Sequence, residues 1–232
     1  MQFEVVPGLV PSVLATLAPG ESVYGEHGIM LYKDTPVTVG RKTVHAGGLL
    51  QGVERVSVGG MPFFLTEFTG PGHVAFSRDG VGEVRVVELS QNEVLDVREG
   101  SILCASASVG YGMFHVHGTH RPGRMIGFWM DRLTGPGSVA LHGYGNVLSM
   151  ALQPRETVTL DAGALLYKSG SAEVKTANLP FGGGLLGHLE SLEVLEVTGP
   201  GKVAFQSVDP GLPHDRPSGV KGQRCPPRNG GG

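Results

Sequence analysis

The chain is written in short apolar segments set among polar residues, and the same few segments return along its length. Val94-Leu95-Asp96-Val97-Arg98 and Val158-Thr159-Leu160-Asp161 alternate, are rich in β-branched residues and are too short for helices, so they predict strands. Each is followed by a glycine and then a second apolar run. These runs are Ile29-Met30-Leu31-Tyr32 past Gly28, Ile102-Leu103-Cys104-Ala105 past Gly100, and Ala164-Leu165-Leu166-Tyr167 past Gly163. Consecutive strands joined at glycine are therefore expected three times. Glycine numbers 38 and proline 16, and their spread between the segments leaves no gap long enough for an ordinary helix. The stretch Leu185 to Val197 carries Leu185, Leu189, Leu192 and Glu196 at helical spacing. Gly187 and the alignment given next predict strand there instead.

Two sequence elements organise these segments. Thr-Gly-Pro-Gly begins at Thr69, Thr134 and Thr198, spaced 65 and 64 residues apart, and each copy runs through one variable residue into Val-Ala. Upstream of each lies Leu-x3-Glu-x6-Gly: Leu17, Glu21, Gly28; Leu89, Glu93, Gly100; Leu152, Glu156, Gly163. Two elements recurring in one order predict three degenerate units of about 65 residues, roughly 1–76, 77–141 and 142–208, forming a single all-β domain over 1–208. In Gly-Pro-Gly, proline suits the first central position of a type II turn and the next glycine supplies the positive φ of the second. The strand entering that turn has an apolar residue before Thr (Phe68, Leu133, Val197). Further back, Phe63 and Leu65, Phe128 and Met130, Leu192 and Val194 fall on the opposite parity, which predicts a bulge between the two sets. From about Asp209 the Pro- and Gly-rich chain offers too little apolar surface to offset its ordering entropy, predicting a flexible tail over 209–232.

Taken together, the triplet of Thr-Gly-Pro-Gly-x-Val-Ala elements, the Leu-x3-Glu-x6-Gly strands and the approach Phe181-Gly182-Gly183-Gly184 resemble a widespread bacterial family. That family is related to the mitochondrial altered-inheritance-of-mitochondria proteins, and the resemblance spans roughly residues 3 to 207. It implies a β-sandwich similar to the tryptophan RNA-binding attenuation protein, repeated along the chain. It implies no catalytic residues and no cofactor, and fold analogy alone does not transmit RNA or tryptophan binding.

Charge and composition narrow the partners. Hydrophobic residues make up 40% and charged ones 17%, which suits a packed protein, and the net charge of -3 gives no general attraction to phosphate. Nucleic acid is not expected; a protein or small-molecule partner is, and homo-oligomerisation stays open. No window approaches the roughly 18 apolar residues of a membrane helix, and the first residues lack a basic and apolar leader, so the expectation is a cytoplasmic protein without a membrane span. Cys104 in an apolar run and Cys225 in the tail read as two free thiols.

Few residues invite chemistry. His115, His117 and His120 are the densest set of ligand-type side chains, and the i, i+2 pair His115 and His117 would share one face of a strand, as in a metal-dependent cupin-like enzyme. Cupins add a glutamate a few residues on, whereas Arg121, Pro122, Gly123 and Arg124 stand there, so a solvated hairpin is the expectation. Glu21, Glu93 and Glu156 recur once per unit, as the carboxylates of a threefold acid–base or cation site would; the expectation is instead that each accepts backbone hydrogen bonds at a strand start. Gly182, Gly183, Gly184 and Gly187 lack the strand-to-helix context of a phosphate loop. Trp129 is expected in the core rather than as a ligand platform. Catalytic and metal-binding residues are accordingly predicted to be none.

Overall fold

The computed structural model describes residues 1–42, 65–116, 120–121, 124–125, 128–180 and 191–209. The strands up to the first Gly-Pro-Gly are β1 (Gln2–Val6), β2 (Ser12–Leu17), β3 (Ser22–Glu26), β4 (Met30–Lys33), β5 (Thr38–Lys42), β6 (Leu65–Thr69) and, past it, β7 (Gly72–Ser77). Next come β8 (Gly82–Leu89), β9 (Val94–Arg98), β10 (Ile102–Ser106), β11 (Gly110–Val116), the short β12 (His120–Arg121) and β13 (Arg124–Met125), β14 (Phe128–Thr134) and β15 (Gly137–Tyr144). The last six are β16 (Val147–Leu152), β17 (Thr157–Asp161), β18 (Leu165–Ser169), β19 (Glu173–Pro180), β20 (Ser191–Thr198) and β21 (Gly201–Gln206). Residues 191–198 are thus strand, as the alignment required. Among the described residues there is no helix.

Apart from the β12-β13 ribbon, the strands form four antiparallel sheets: β1-β2-β7-β4, then β5-β6-β3-β10-β15-β8, then β11-β14-β9-β18-β21-β16, then β17-β20-β19. They stack in that order, and each gap is filled by its own core. Val13, Val74 and Phe76 of the first sheet meet Val23, Phe68 and Leu103 of the second. Tyr24, Ile102 and Leu141 on the opposite face of the second meet Leu95, Val97 and Leu133 of the third. Met130, Leu165 and Val203 of the third meet Leu160, Leu195 and Val197 of the fourth. The two middle sheets are therefore covered on both faces, which is why β10 is buried at every position and β9 at its three central ones.

The Gly-Pro-Gly elements sit where the chain passes from one sheet to the next: β6 to β7, β14 to β15 and β20 to β21. The Leu-x3-Glu element makes the companion corner, β2 to β3, β8 to β9 and β16 to β17. In register, Leu17 faces Gly72, Leu89 faces Gly137 and Leu152 faces Gly201. Just past the corner, Ser22 faces Thr69, Val94 faces Thr134 and Thr157 faces Thr198. A strand pair thus bends as one from sheet to sheet.

Two expectations are corrected here. The peptides Gly70-Pro71, Gly135-Pro136 and Gly199-Pro200 are cis, and φ at Gly72, Gly137 and Gly201 is 134°, 141° and 143°, so the turns are not type II, although the glycine after proline does hold the predicted positive φ. The expected bulge in the entering strand is absent from its described part, where pairing is continuous. The register shift lies instead between Met30 and Tyr32 on β4, Ile102 and Cys104 on β10, and Leu165 and Tyr167 on β18. Asp209, where the predicted tail begins, lies 3.6 Å from Arg98; the rest of that tail is outside the described residues.

Candidate functional site

The recurring glutamates are structural. The carboxylate of Glu21 accepts the Ala18 N–H at 2.8 Å, that of Glu93 the Ser90 N–H at 2.9 Å and that of Glu156 the Gln153 N–H at 2.7 Å. Their own carbonyls accept the N–H of Gly70, Gly135 and Gly199, each at 2.9 Å, so each glutamate ties its own corner to the neighbouring Gly-Pro corner. The first glycine of the tetrapeptide is compelled by this closeness. A Cβ on Gly135 would lie 2.2 Å from the Ser90 oxygen, and one on Gly70 or Gly199 within 2.6 Å of the facing backbone oxygen. Two motifs that look separate in sequence are two sides of one joint.

His115 lies on β11 opposite Trp129 on β14, their rings edge to face with centroids 5.2 Å apart. Trp129 is half-buried and serves as the cross-strand neighbour of that imidazole. His117 and the side chain of His120, like Gly182, Gly183, Gly184, Gly187 and Cys225, are outside the described residues. Among the described residues no cluster of three or more His, Cys, Asp or Glu side chains has metal-binding geometry. Cys104 is a free thiol, fully buried, and that burial pushes its pKa well above the ordinary thiol range.

A charged group that the sequence reading passed over lies at the seam where β9 meets β18. The carboxylate of Asp96, fully buried, accepts Nε and Nη2 of Arg132 at 2.7 and 3.0 Å and Nζ of Lys168 at 2.7 Å. Lys168 is itself buried and also donates to the Ala172 carbonyl at 2.7 Å. The hydrogen bonds to Asp96 raise the Arg132 pKa, and the guanidinium stacks 4.5 Å from the Phe114 ring centroid. The signal was a carboxylate in the middle of Val94-Leu95-Asp96-Val97: a strand apolar on both sides of an acid is a two-faced core strand, and a buried acid there must be paired. Beside this cluster an open hollow of about 430 Å³ is lined by Asn92, Glu93, Arg132, Ser169, Gly170 and Ser171. Its size suits a small molecule.

His142 is another buried polar group the sequence did not mark. It is fully buried, stacks edge to face on Tyr144 with centroids 4.8 Å apart, and neither ring nitrogen has a hydrogen-bond partner of good geometry. Burial lowers its pKa, the nearby Arg78 charge lowers it further, and the Gly80 backbone pulls the other way.

These features define an all-β protein of stacked antiparallel sheets, bent at paired corners, with a buried ion pair between Asp96 and Lys168 where β9 meets β18. The chain belongs to the family described as mitochondrial biogenesis AIM24, whose model matches residues 3–208. It is similar to a Streptococcus pyogenes protein known from an X-ray crystal structure, at 22% identity and a TM-score of 0.68 over 90% of this chain and 94% of that one. Identity that low speaks for the fold alone. A comparison with curated proteins found no match.

Proposed function

We propose that the protein is a non-catalytic scaffold: three tandem units of the tryptophan RNA-binding attenuation protein type over 1–208, with a tail beyond, whose surfaces and seam cavity serve binding. The observation that carries this reading is the use made of its acids. Glu21, Glu93 and Glu156 each spend a carboxylate oxygen on a backbone N–H, and Asp96 is saturated by Arg132 and Lys168. A general acid or base needs a proton-accepting atom turned toward a substrate, and structural hydrogen bonds leave these acids poorly suited to that. The repeated corner supports the three-unit division, and the net charge of -3 supports a protein or small-molecule partner over nucleic acid. Among the described residues no helix is long and apolar enough to cross a membrane; a cytoplasmic location is part of the proposal.

The test is metal analysis of protein purified without an affinity tag. The scaffold reading expects iron, manganese and zinc each well below one per chain. Stoichiometric metal that disappears in a His115→Ala/His117→Ala variant would overturn it in favour of the cupin-like enzyme.

A further inference from the structure

The seams between neighbouring sheet halves follow one rule. At the first seam β10 pairs with β3, with Ala105 opposite Tyr24 and Ser106 opposite Val23. At the second β18 pairs with β9, with Lys168 opposite Asp96 and Ser169 opposite Leu95. Counting from the glycine of each Leu-x3-Glu-x6-Gly element, Ala105 and Lys168 stand at the position of Lys33, and Tyr24 and Asp96 at the position of Thr159. The register of both seams is therefore the same. So is the next bond along: the Ala107 N–H donates to Ser22 at 2.9 Å and the Gly170 N–H to Val94 at 2.8 Å.

One strand of each kind has no such mate. β4 is the last strand of the first sheet and β17 the last strand of the fourth, and among the described residues neither pairs on its outer side. The contrast in exposure follows. Met30, Leu31 and Tyr32 of β4 are 42%, 60% and 50% exposed, whereas Ile102, Leu103 and Cys104 at the same positions of β10 are 0%. Thr157, Thr159 and Asp161 of β17 are exposed, whereas Tyr24 and Asp96 are fully buried. The Asp34 N–H donates inward to the His73 carbonyl, so Lys33, the last residue of β4, turns its backbone groups outward; Thr35, in the turn that the Val37 N–H closes on the Asp34 carbonyl, stands at the position of Ala107 and Gly170, whose N–H groups cross the two built seams. An apolar strand edge left in this state is one that natural proteins normally cover.

We propose that β4 of one copy pairs antiparallel with β17 of a second copy, Lys33 opposite Thr159 and Asp34 opposite Val158, so that copies associate head to tail. The occupant is a second copy because the chain carries both halves of a seam it has already built twice. Joining the fourth sheet of one copy to the first sheet of the next makes a composite sheet with the core of one copy on one face and that of its neighbour on the other, as the two middle sheets already have. The contact is heterologous, so copies form a ring if the rotation closes and an open string if it does not. It rests on strand pairing alone and stands apart from the scaffold reading.

The experiment is sedimentation equilibrium on the full chain across roughly 1–200 μM, with two edge-blocked variants. Leu31→Lys puts a charge on the exposed edge of β4; Thr159→Pro removes an outward N–H from β17, a place where an edge strand tolerates proline. Wild type is expected to gain mass above 24.3 kDa with concentration. Each variant alone is expected to stay monomeric, and an equimolar mixture to form dimers and nothing larger, because one live β4 edge meets one live β17 edge. If Thr159→Pro fails to fold, Thr159→Lys replaces it, setting like charges opposite Lys33. A wild type monomeric throughout, a mixture that stays monomeric, or variants that associate like wild type would each overturn the proposal. So would amide exchange at Lys33 and Thr35 that is protected equally at all concentrations, since a segment of the same chain would then cover the edge.

Discussion

The Lys168 ammonium lies 2.7 Å from the Asp96 carboxylate, and both side chains are buried where β18 joins β9. The carboxylate has a second cation in Arg132, while among the described residues the lysine has no other acid as a hydrogen-bond partner, its further partners being the Ala172 and Ser169 carbonyls. The two partners are therefore unequal. Asp96→Ala strands a buried ammonium and should cost about 3–5 kcal/mol, whereas Lys168→Met, which leaves Asp96 on Arg132, should cost less. Urea unfolding of both variants at constant slope measures the difference. An Asp96→Ala loss below about 1 kcal/mol would mean that water reaches the pair.

The corner glycines give a second prediction. With φ at 134° to 143°, Gly72, Gly137 and Gly201 lie beyond the left-handed region that asparagine tolerates, in a part of the map that is essentially glycine's own. Each Gly→Asn and Gly→Val variant should lose about 1–3 kcal/mol, with no rescue by asparagine. Crowding ranks the sites. A Cβ on Gly137 would meet Ser108, Ser106 and Val109 at 2.8 to 2.9 Å, while on Gly72 the nearest atoms are at 3.0 Å, so Gly137 should be the less tolerant. Denaturant midpoints that place Gly72→Val below Gly137→Val would contradict this ranking.

His142 should make stability depend on pH in a window that carboxylates do not reach. Its folded-state pKa is lowered from 6.5 by burial and by Arg78, so the unfolded chain takes up a proton that the folded chain refuses. The stability held by the neutral ring is complete above about pH 6.5 and is lost as pH falls below it toward the folded value. Unfolding free energy should decline from pH 7 to 5.5 in the wild type. The decline should flatten in His142→Phe, which keeps the edge-to-face contact with Tyr144. Equal slopes in the two proteins would remove His142 as the cause.

The buried thiol of Cys104 offers a kinetic check. In a Cys225→Ala variant, labelling by a disulfide reagent should be slow in native buffer and should accelerate in step with unfolding as urea is added, because neither access nor the thiolate form is available in the core. Rapid labelling without denaturant would mean that the first core opens independently of global unfolding.

The strands that flank the recurring glycine and Gly-Pro elements were legible in the chain itself, because alternation, a glycine at a strand junction and positive φ after proline are demands that neighbouring residues make on one another. The glutamates read as backbone acceptors for a similar reason, because each bond spans only three residues. Local pattern did not say that the Gly-Pro turns are corners between sheets, nor that the register shift falls on β4, β10 and β18; both depend on which strand lies alongside. Asp96 and Lys168 stand 72 residues apart, and nothing between them announces the pairing. Pairing order is set when sheets stack and each strand finds the neighbour that buries its second face, and a sequence read in windows contains no such neighbour. The tertiary structure alone decided that β10 and β18 are paired on both sides while β4 is not, and that β3 and β9 are while β17 is not, among the described residues.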